Sequence, residues 1–99
     1  NDVVLDLRKN SKSFKKVFSI KLDSTSSGIV VIPEGCAHGF LSLEDNTMVT
    51  YLQTSCYSKD HDMGLKFDSF GYNWGIENPI MSDRDTEFIN FEDFNSSFL

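Results

Sequence analysis

The sequence predicts an all-β fold of sandwich or barrel type. Short apolar stretches alternate with a period of two, as half-buried strands do. They recur at roughly ten-residue spacing with turn residues between them, the rhythm of sandwiches and barrels. Helical signals are confined to residues 83–94.

Taken in order, residues 2–8 read D-V-V-L-D-L-R, a β-branched strand with Asp6 and Arg8 on one side of the alternation. Asn10-Ser11-Lys12-Ser13 is a turn cluster. Residues 14–22 alternate again, with Phe18, Ile20 and Leu22 on a predicted core face and Lys15, Ser19 and Lys21 opposite. Residues 23–28 form a Ser/Thr-rich loop, and residues 28–32 a short buried strand, stopped by Pro33 and turned at Gly35. A further strand is expected over 40–43. After it come a hairpin-like turn at Glu44-Asp45-Asn46 and another alternating strand over 47–54. Residues 55–73 are turn-rich. The tail mixes acids with Phe88, Phe91, Phe94 and Phe98. Ser82 is placed to cap a short helix over 83–94, with Asp83 and Asp85 in its first turn.

Ninety-nine residues suffice for one domain, 1–99, with one modest core. No apolar run approaches the roughly 20 residues of a membrane-spanning helix. A formal charge of −6 argues against nucleic acid, whose phosphates require a basic face. Cys36 and Cys56 stand in no C-x-x-C pattern and read as reduced thiols of a cytoplasmic protein. Asn1 to Leu5 resemble the inside of a strand rather than a signal peptide. The two histidines lack the close spacing that a metal site requires, so no metal is expected.

The chemistry concentrates in four places. In Ile32-Pro33-Glu34-Gly35-Cys36-Ala37-His38-Gly39-Phe40, the small neighbours Ala37 and Gly39 leave His38 room to face a cavity, although a turn histidine bonded to backbone is the plainer reading. Tyr51 lies in an alternating strand with Val49 and Gln53. Its phenol is either a packed ring with its hydroxyl tied off or a proton donor, and Tyr57 offers the same choice. Ser82-Asp83-Arg84-Asp85 is a charged helix start, or a site in which Asp85 orients a histidine from another segment. His61, in Lys59-Asp60-His61-Asp62, reads as solvated surface.

Together these segments resemble the dTDP-4-dehydrorhamnose 3,5-epimerase family of cupin-type jelly-roll enzymes. The resemblance rests on Asp2-Val3-Val4-Leu5-Asp6-Leu7-Arg8-Lys9-Asn10-Ser11 with Phe14, on residues 32–40, on Tyr51, Tyr57, His61, Gly64, Asp68 and Trp74, and on Ser82-Asp83-Arg84-Asp85. The string around His38 together with the S-D-R-D close is its most specific part. The resemblance implies a cupin-like jelly roll (double-stranded β-helix), incomplete at its N-terminus and ending in a short helix or irregular tail. It implies cofactor-free epimerisation at C3 and C5 of a dTDP-4-keto-6-deoxyhexose. By position, Tyr51 matches the family's catalytic acid and Asp85 the aspartate of its His–Asp dyad. His38 and Tyr57 match residues lining the sugar pocket.

The family's catalytic histidine lies in an R-G-x-H segment, which the resemblance places upstream of Asn1, as it does most of the arginines that hold the diphosphate. Gly75 stands where the family usually has proline after Trp74, and Ser58-Lys59 replaces a common x-Pro. The expected partners are the nucleotide-sugar and a second copy or partner chain that completes the sheet, since a jelly roll without its opening strands leaves unpaired edges. The alternative reading is a non-catalytic nucleotide-sugar-binding or assembly module that has lost the base.

Overall fold

A computed structural model describes residues 1–25 and 28–99. Ser26 and Ser27, within the predicted 23–28 loop, lie outside the described residues. The framework is a three-stranded antiparallel sheet in the order β2-β1-β3, made of β1 (Asp2–Asp6), β2 (Val17–Ile20) and β3 (Cys36–Phe40). Leu5 pairs with Val17 and Ala37, and Val4 pairs with Phe18 and His38. Strand β1 is central because its Val-Val-Leu run tolerates burial on both sides, whereas β2 and β3 form edges.

Alternation divides β1 cleanly. Val3, Leu5 and Leu7 point to one face and are the buried apolar core. That face is closed by the later chain. A Cβ at Gly39 would meet the Trp74 ring at 3.6 Å, so the bare backbone there lets the indole approach. Trp74 Nε1–H donates to the Phe67 carbonyl at 2.7 Å, and its ring meets Tyr72 edge-to-face with centroids 5.1 Å apart. Near the C-terminus, Ser96 Oγ donates to the Leu7 carbonyl at 2.5 Å, and the Phe98 and Leu99 carbonyls accept from Lys9 and Asn10 N–H. The tail therefore closes the end of the core that Leu7 occupies.

The opposite face of β1 carries Asp2, Val4 and Asp6. Asp6 is fully buried, and its carboxylate is saturated: Oδ1 accepts from Arg8 N–H and Nε–H at 2.9 Å each, and Oδ2 from Arg8 Nη2 at 2.9 Å and Ser13 Oγ at 2.5 Å. The predicted common side of Asp6 and Arg8 is thus a bidentate ion pair. Arg8 first and Ser13 next hold the Asp6 carboxyl well below the usual carboxylate range. The network anchors the 10–13 turn, and just after it Lys15 adopts φ 68° and donates its N–H to the Asp6 carbonyl at 2.8 Å.

Several predicted elements differ. Residues 28–32 form no strand and are largely exposed, and the same holds for 47–54. The predicted strand over 40–43 is displaced: β3 begins at Cys36 and ends at Phe40. Alternation identifies strand-forming stretches, but a ladder also needs a partner, and none is present for these two stretches among the described residues. In β2 the period of two holds while the buried side is reversed. Phe18 and Ile20 face outward, and Val17 lies on the covered side opposite Leu5. The helix is a single turn, α1 (Asp83–Thr86), followed by a separate 3-10 turn at Phe91–Asp93. Ser82 caps α1 as predicted, its Oγ accepting from Asp85 N–H at 3.2 Å.

Candidate functional site

The Pro33-Glu34-Gly35 turn delivers β3 to the sheet. Gly35 has φ +84°, and its carbonyl accepts from Leu7 N–H at 3.0 Å. A Cβ there would strike Arg8 Cγ at 2.6 Å, so both backbone and space demand glycine. Strand β3 then places Cys36, His38 and Phe40 on the Asp2/Val4/Asp6 face. Cys36 sits over Asp6, its Sγ 3.9 Å from Oδ1, and burial pushes its thiol up.

At the other end of that face, His38 Nε2 lies 2.5 Å from Asp2 Oδ1. The two are diagonal neighbours across β1 and β3, since Val4 is the direct partner of His38. A carboxylate only accepts, so Nε2 carries the proton and Nδ1 remains as the ring's second polar atom. The Phe40 ring centre is 6.4 Å from the imidazole. Asn1 extends this end of the sheet: its amino group and backbone bond to Leu41, and its amide donates to the Tyr72 hydroxyl at 2.9 Å. Hydrogen bonds from Ser19 and Asn1 lower the Tyr72 phenol from its ordinary value. His38 is therefore a side chain on a sheet face, held by a carboxylate, and not a turn histidine bonded to backbone. Asp2 escaped the sequence reading as a site residue. Its pairing follows only from strand register, and no local sequence signal pointed to it.

Tyr51 and Tyr57 lie on an irregular stretch, 69% and 74% exposed. Asp85 sits on α1, 3.6 Å from Arg84 Nη1, and Arg84 Nη2 also reaches Asp62 at 2.7 Å. The Asp62 pair ties α1 to the loop that follows Tyr57, and the Arg84 guanidinium stacks locally over the Phe88 ring at 4.8 Å. Among the described residues, no hydrogen bond or ion pair joins Tyr51, Tyr57 or Asp85 to one another or to the His38–Asp2 pair. His61 is exposed and bonds Ser58 Oγ through Nδ1 at 2.8 Å, as a surface residue should. Cys36 and Cys56 are free thiols. Among the described residues no cluster of three His, Cys, Asp or Glu side chains is gathered for a metal, and no helix is long and apolar enough to cross a membrane.

Comparison with known proteins gives one answer. The family model for dTDP-4-dehydrorhamnose 3,5-epimerase matches residues 1–93. The dTDP-4-dehydrorhamnose 3,5-epimerase of Shigella flexneri is 35% identical over 94 residues, which cover 93% of this chain and 52% of that protein. The enzyme of the same name from Methanothermobacter thermautotrophicus is 37% identical over 89 residues, covering 85% of this chain and 48% of the relative. A dTDP-4-dehydrorhamnose 3-epimerase of Streptomyces niveus is 30% identical over 90 residues, covering 89% and 44%. No solved structure gives a significant match. The chain spans about half the length of the curated relatives it matches. With the family match running from the paired Asp2 through the S-D-R-D turn of α1, this chain belongs to the dTDP-4-dehydrorhamnose 3,5-epimerase family.

Proposed function

We propose that the chain supplies part of the site of a nucleotide-sugar 3,5-epimerase, an isomerase that inverts C3 and C5 of a dTDP-4-keto-6-deoxyhexose without a cofactor. The observation that carries this reading is the family match over residues 1–93, which spans His38, Tyr51, Tyr57 and Asp85. The fold reading that goes with it is a single cupin-like jelly-roll portion over 1–99. A cytoplasmic location and association with a second copy or partner chain belong to the same reading.

The chemistry follows from the ketone. Protons at C3 and C5 are alpha to the C4 carbonyl, so removing one places the electron pair on the carbonyl oxygen as an enolate. A base takes the proton from one face and an acid returns one to the other, which inverts the carbon and restores the ketone. Tyr51 is assigned as the acid. Asp85 is assigned to orient the imidazole base, which an R-G-x-H segment carries and which no string in residues 1–99 supplies. His38 and Tyr57 are assigned to the sugar pocket. The His38–Asp2 bond supports this, because it holds the imidazole in place and leaves Nδ1 as its second polar atom beside the half-exposed Phe18, Ile20 and Phe40.

The test is a chimaera in which residues 1–99 replace the matching region of the Shigella flexneri relative, with folding checked by circular dichroism. In D2O with dTDP-4-keto-6-deoxyglucose, deuterium is expected to enter C3 and C5. Tyr51→Phe should slow its entry on the order of 10²–10⁴-fold, the usual worth of a general acid. A folded chimaera that leaves both carbons protonated defeats the reading. Exchange indifferent to both Tyr51→Phe and Asp85→Asn defeats the assignment of the residues.

A further inference from the structure

A cavity between the turn after β1 and the C-terminal stretch takes no part in the chemistry above. Its volume is about 360 Å³, at the small end of the range of about 300–1,000 Å³ for small-molecule sites. Leu7, on the buried side of the sheet, forms its floor, so it lies on the other side of β1 from the His38–Asp2 pair. The Ser96 hydroxyl beside Leu7 is already committed, donating to the Leu7 carbonyl and accepting from Phe98 N–H. Three rings form the walls. Phe14 comes from the turn, and Phe91 and Phe94 stand three positions apart along the 3-10 turn Phe91–Asp93, a spacing that puts side chains on one side.

The rim is cationic. Lys9 and Lys15 line it. Residues 8–16 hold five of the nine Lys and Arg, whereas none of the fifteen Asp and Glu lies within 7–22. Arg8 is bound to Asp6, but among the described residues none of Lys9, Lys12, Lys15 and Lys16 has an ion-pair partner. In a chain of charge −6 this is a concentrated positive field beside an apolar hollow. Lys15 is held there in two ways. Its φ of 68° is a conformation that a residue with a Cβ adopts at a cost, and its ammonium lies 5.3 Å from the centre of the Phe14 ring. Glu92 also lines the cavity, outnumbered by the two lysines.

We propose that this cavity binds a small planar organic anion: an aromatic ring seated among Phe14, Phe91 and Phe94, with its phosphate or carboxylate held by Lys9 and Lys15. Charge complementarity selects the anion, because the two lysines are the cations at the opening. The three rings select the planar body, which stacks on them or meets their edges. The volume suits one substituted ring rather than a length of peptide. The Asn95 amide, which has no hydrogen bond among the described residues, offers a donor and an acceptor to a polar ring edge. Binding here is independent of the epimerase reading, and its failure leaves that reading intact.

The experiment titrates the full nitrogen-15-labelled chain with phenyl phosphate and with benzoate at millimolar concentration. Inorganic phosphate and benzyl alcohol serve as the separate halves of the ligand. Saturable shifts are expected in the amides of 7–15 and 91–96 with at least one of the two ring anions, and the tighter of the two identifies the head group. Each half alone should bind about tenfold more weakly. A Lys9→Met, Lys15→Met double variant alters only exposed positions, so its circular dichroism should match that of the unaltered chain. It should bind the preferred anion about tenfold more weakly. Phe94→Leu, which keeps bulk and removes a ring, should weaken the ring anion and leave inorganic phosphate unaffected. The absence of saturable shifts with both ring anions overturns the proposal. Inorganic phosphate that binds as well as phenyl phosphate also overturns it and leaves only a charged surface. Benzyl alcohol that binds as well as the anions, or a double variant that binds as tightly as the unaltered chain, overturns it equally, because the lysines then hold nothing.

Discussion

His38 on β3 and Asp2 on β1 share a 2.5 Å hydrogen bond across the open side of the sheet. The bond fixes which ring nitrogen carries the proton, and with it which nitrogen a ligand can meet. Nitrogen chemical shifts of His38 should report the Nε2–H tautomer as dominant in the neutral ring. Asp2→Ala should bring both tautomers into comparable population, while Asp2→Asn, whose amide oxygen still accepts, should preserve most of the bias. An unchanged tautomer ratio in Asp2→Ala would show that the bond has no such role.

Asp6 predicts the acid limb of stability. Its carboxyl is held below the ordinary value of 3.8, chiefly by Arg8, so the folded state binds its proton less readily than the unfolded chain. That stabilisation is fully present above about pH 4 and is lost as pH falls below it. Urea midpoints should therefore drop from pH 4 to pH 2. Asp6→Asn should be less stable at pH 7 and show a shallower decline, so the two curves converge in acid.

Gly35 predicts a cost set by both conformation and space. Alanine there would occupy φ +84° and drive its methyl into the Arg8 stem. A loss of about 1–3 kcal/mol is expected in chemical denaturation. Because the turn feeds β3, slower-exchanging amides of Cys36 to Phe40 should be the first to lose protection.

Leu5 lies at the centre of the closed face, 2% exposed. Leu5→Ala should cost about 2–5 kcal/mol, which is a large share of the stability of a 99-residue chain. Leu52→Ala is the contrast: at a side chain so exposed, the free chain should change by less than about 0.5 kcal/mol.

Ser82 caps a single helical turn through Asp85 N–H. Ser82→Ala should cost the low end of about 0.5–2 kcal/mol. Its visible effect should be faster amide exchange at Asp85 and Thr86, with the midpoint of global unfolding little moved.

Much of this was legible in the residues. The strand at β1, the common side of Asp6 and Arg8, the turn at Gly35, the cap at Ser82 and the solvated His61 each follow from local chemistry, because each feature lies within a few positions or on one alternating side. Family membership was legible through strings of residues around His38 and Asp85. The partner of His38 was not, since Asp2 is 36 positions away and meets it only through antiparallel register.

The sequence by itself determined where strands can form and which residue types carry the chemistry, because periodicity, turn propensity and motif are properties of neighbouring residues. Only the tertiary structure decided which side of β2 is buried, that 28–32 and 47–54 form no strands, and that the imidazole of His38 meets a carboxylate from β1. The physical reason is that a ladder and a buried face are relations between distant segments. Strand-prone residues become strands only where another backbone lies alongside to take up their hydrogen bonds.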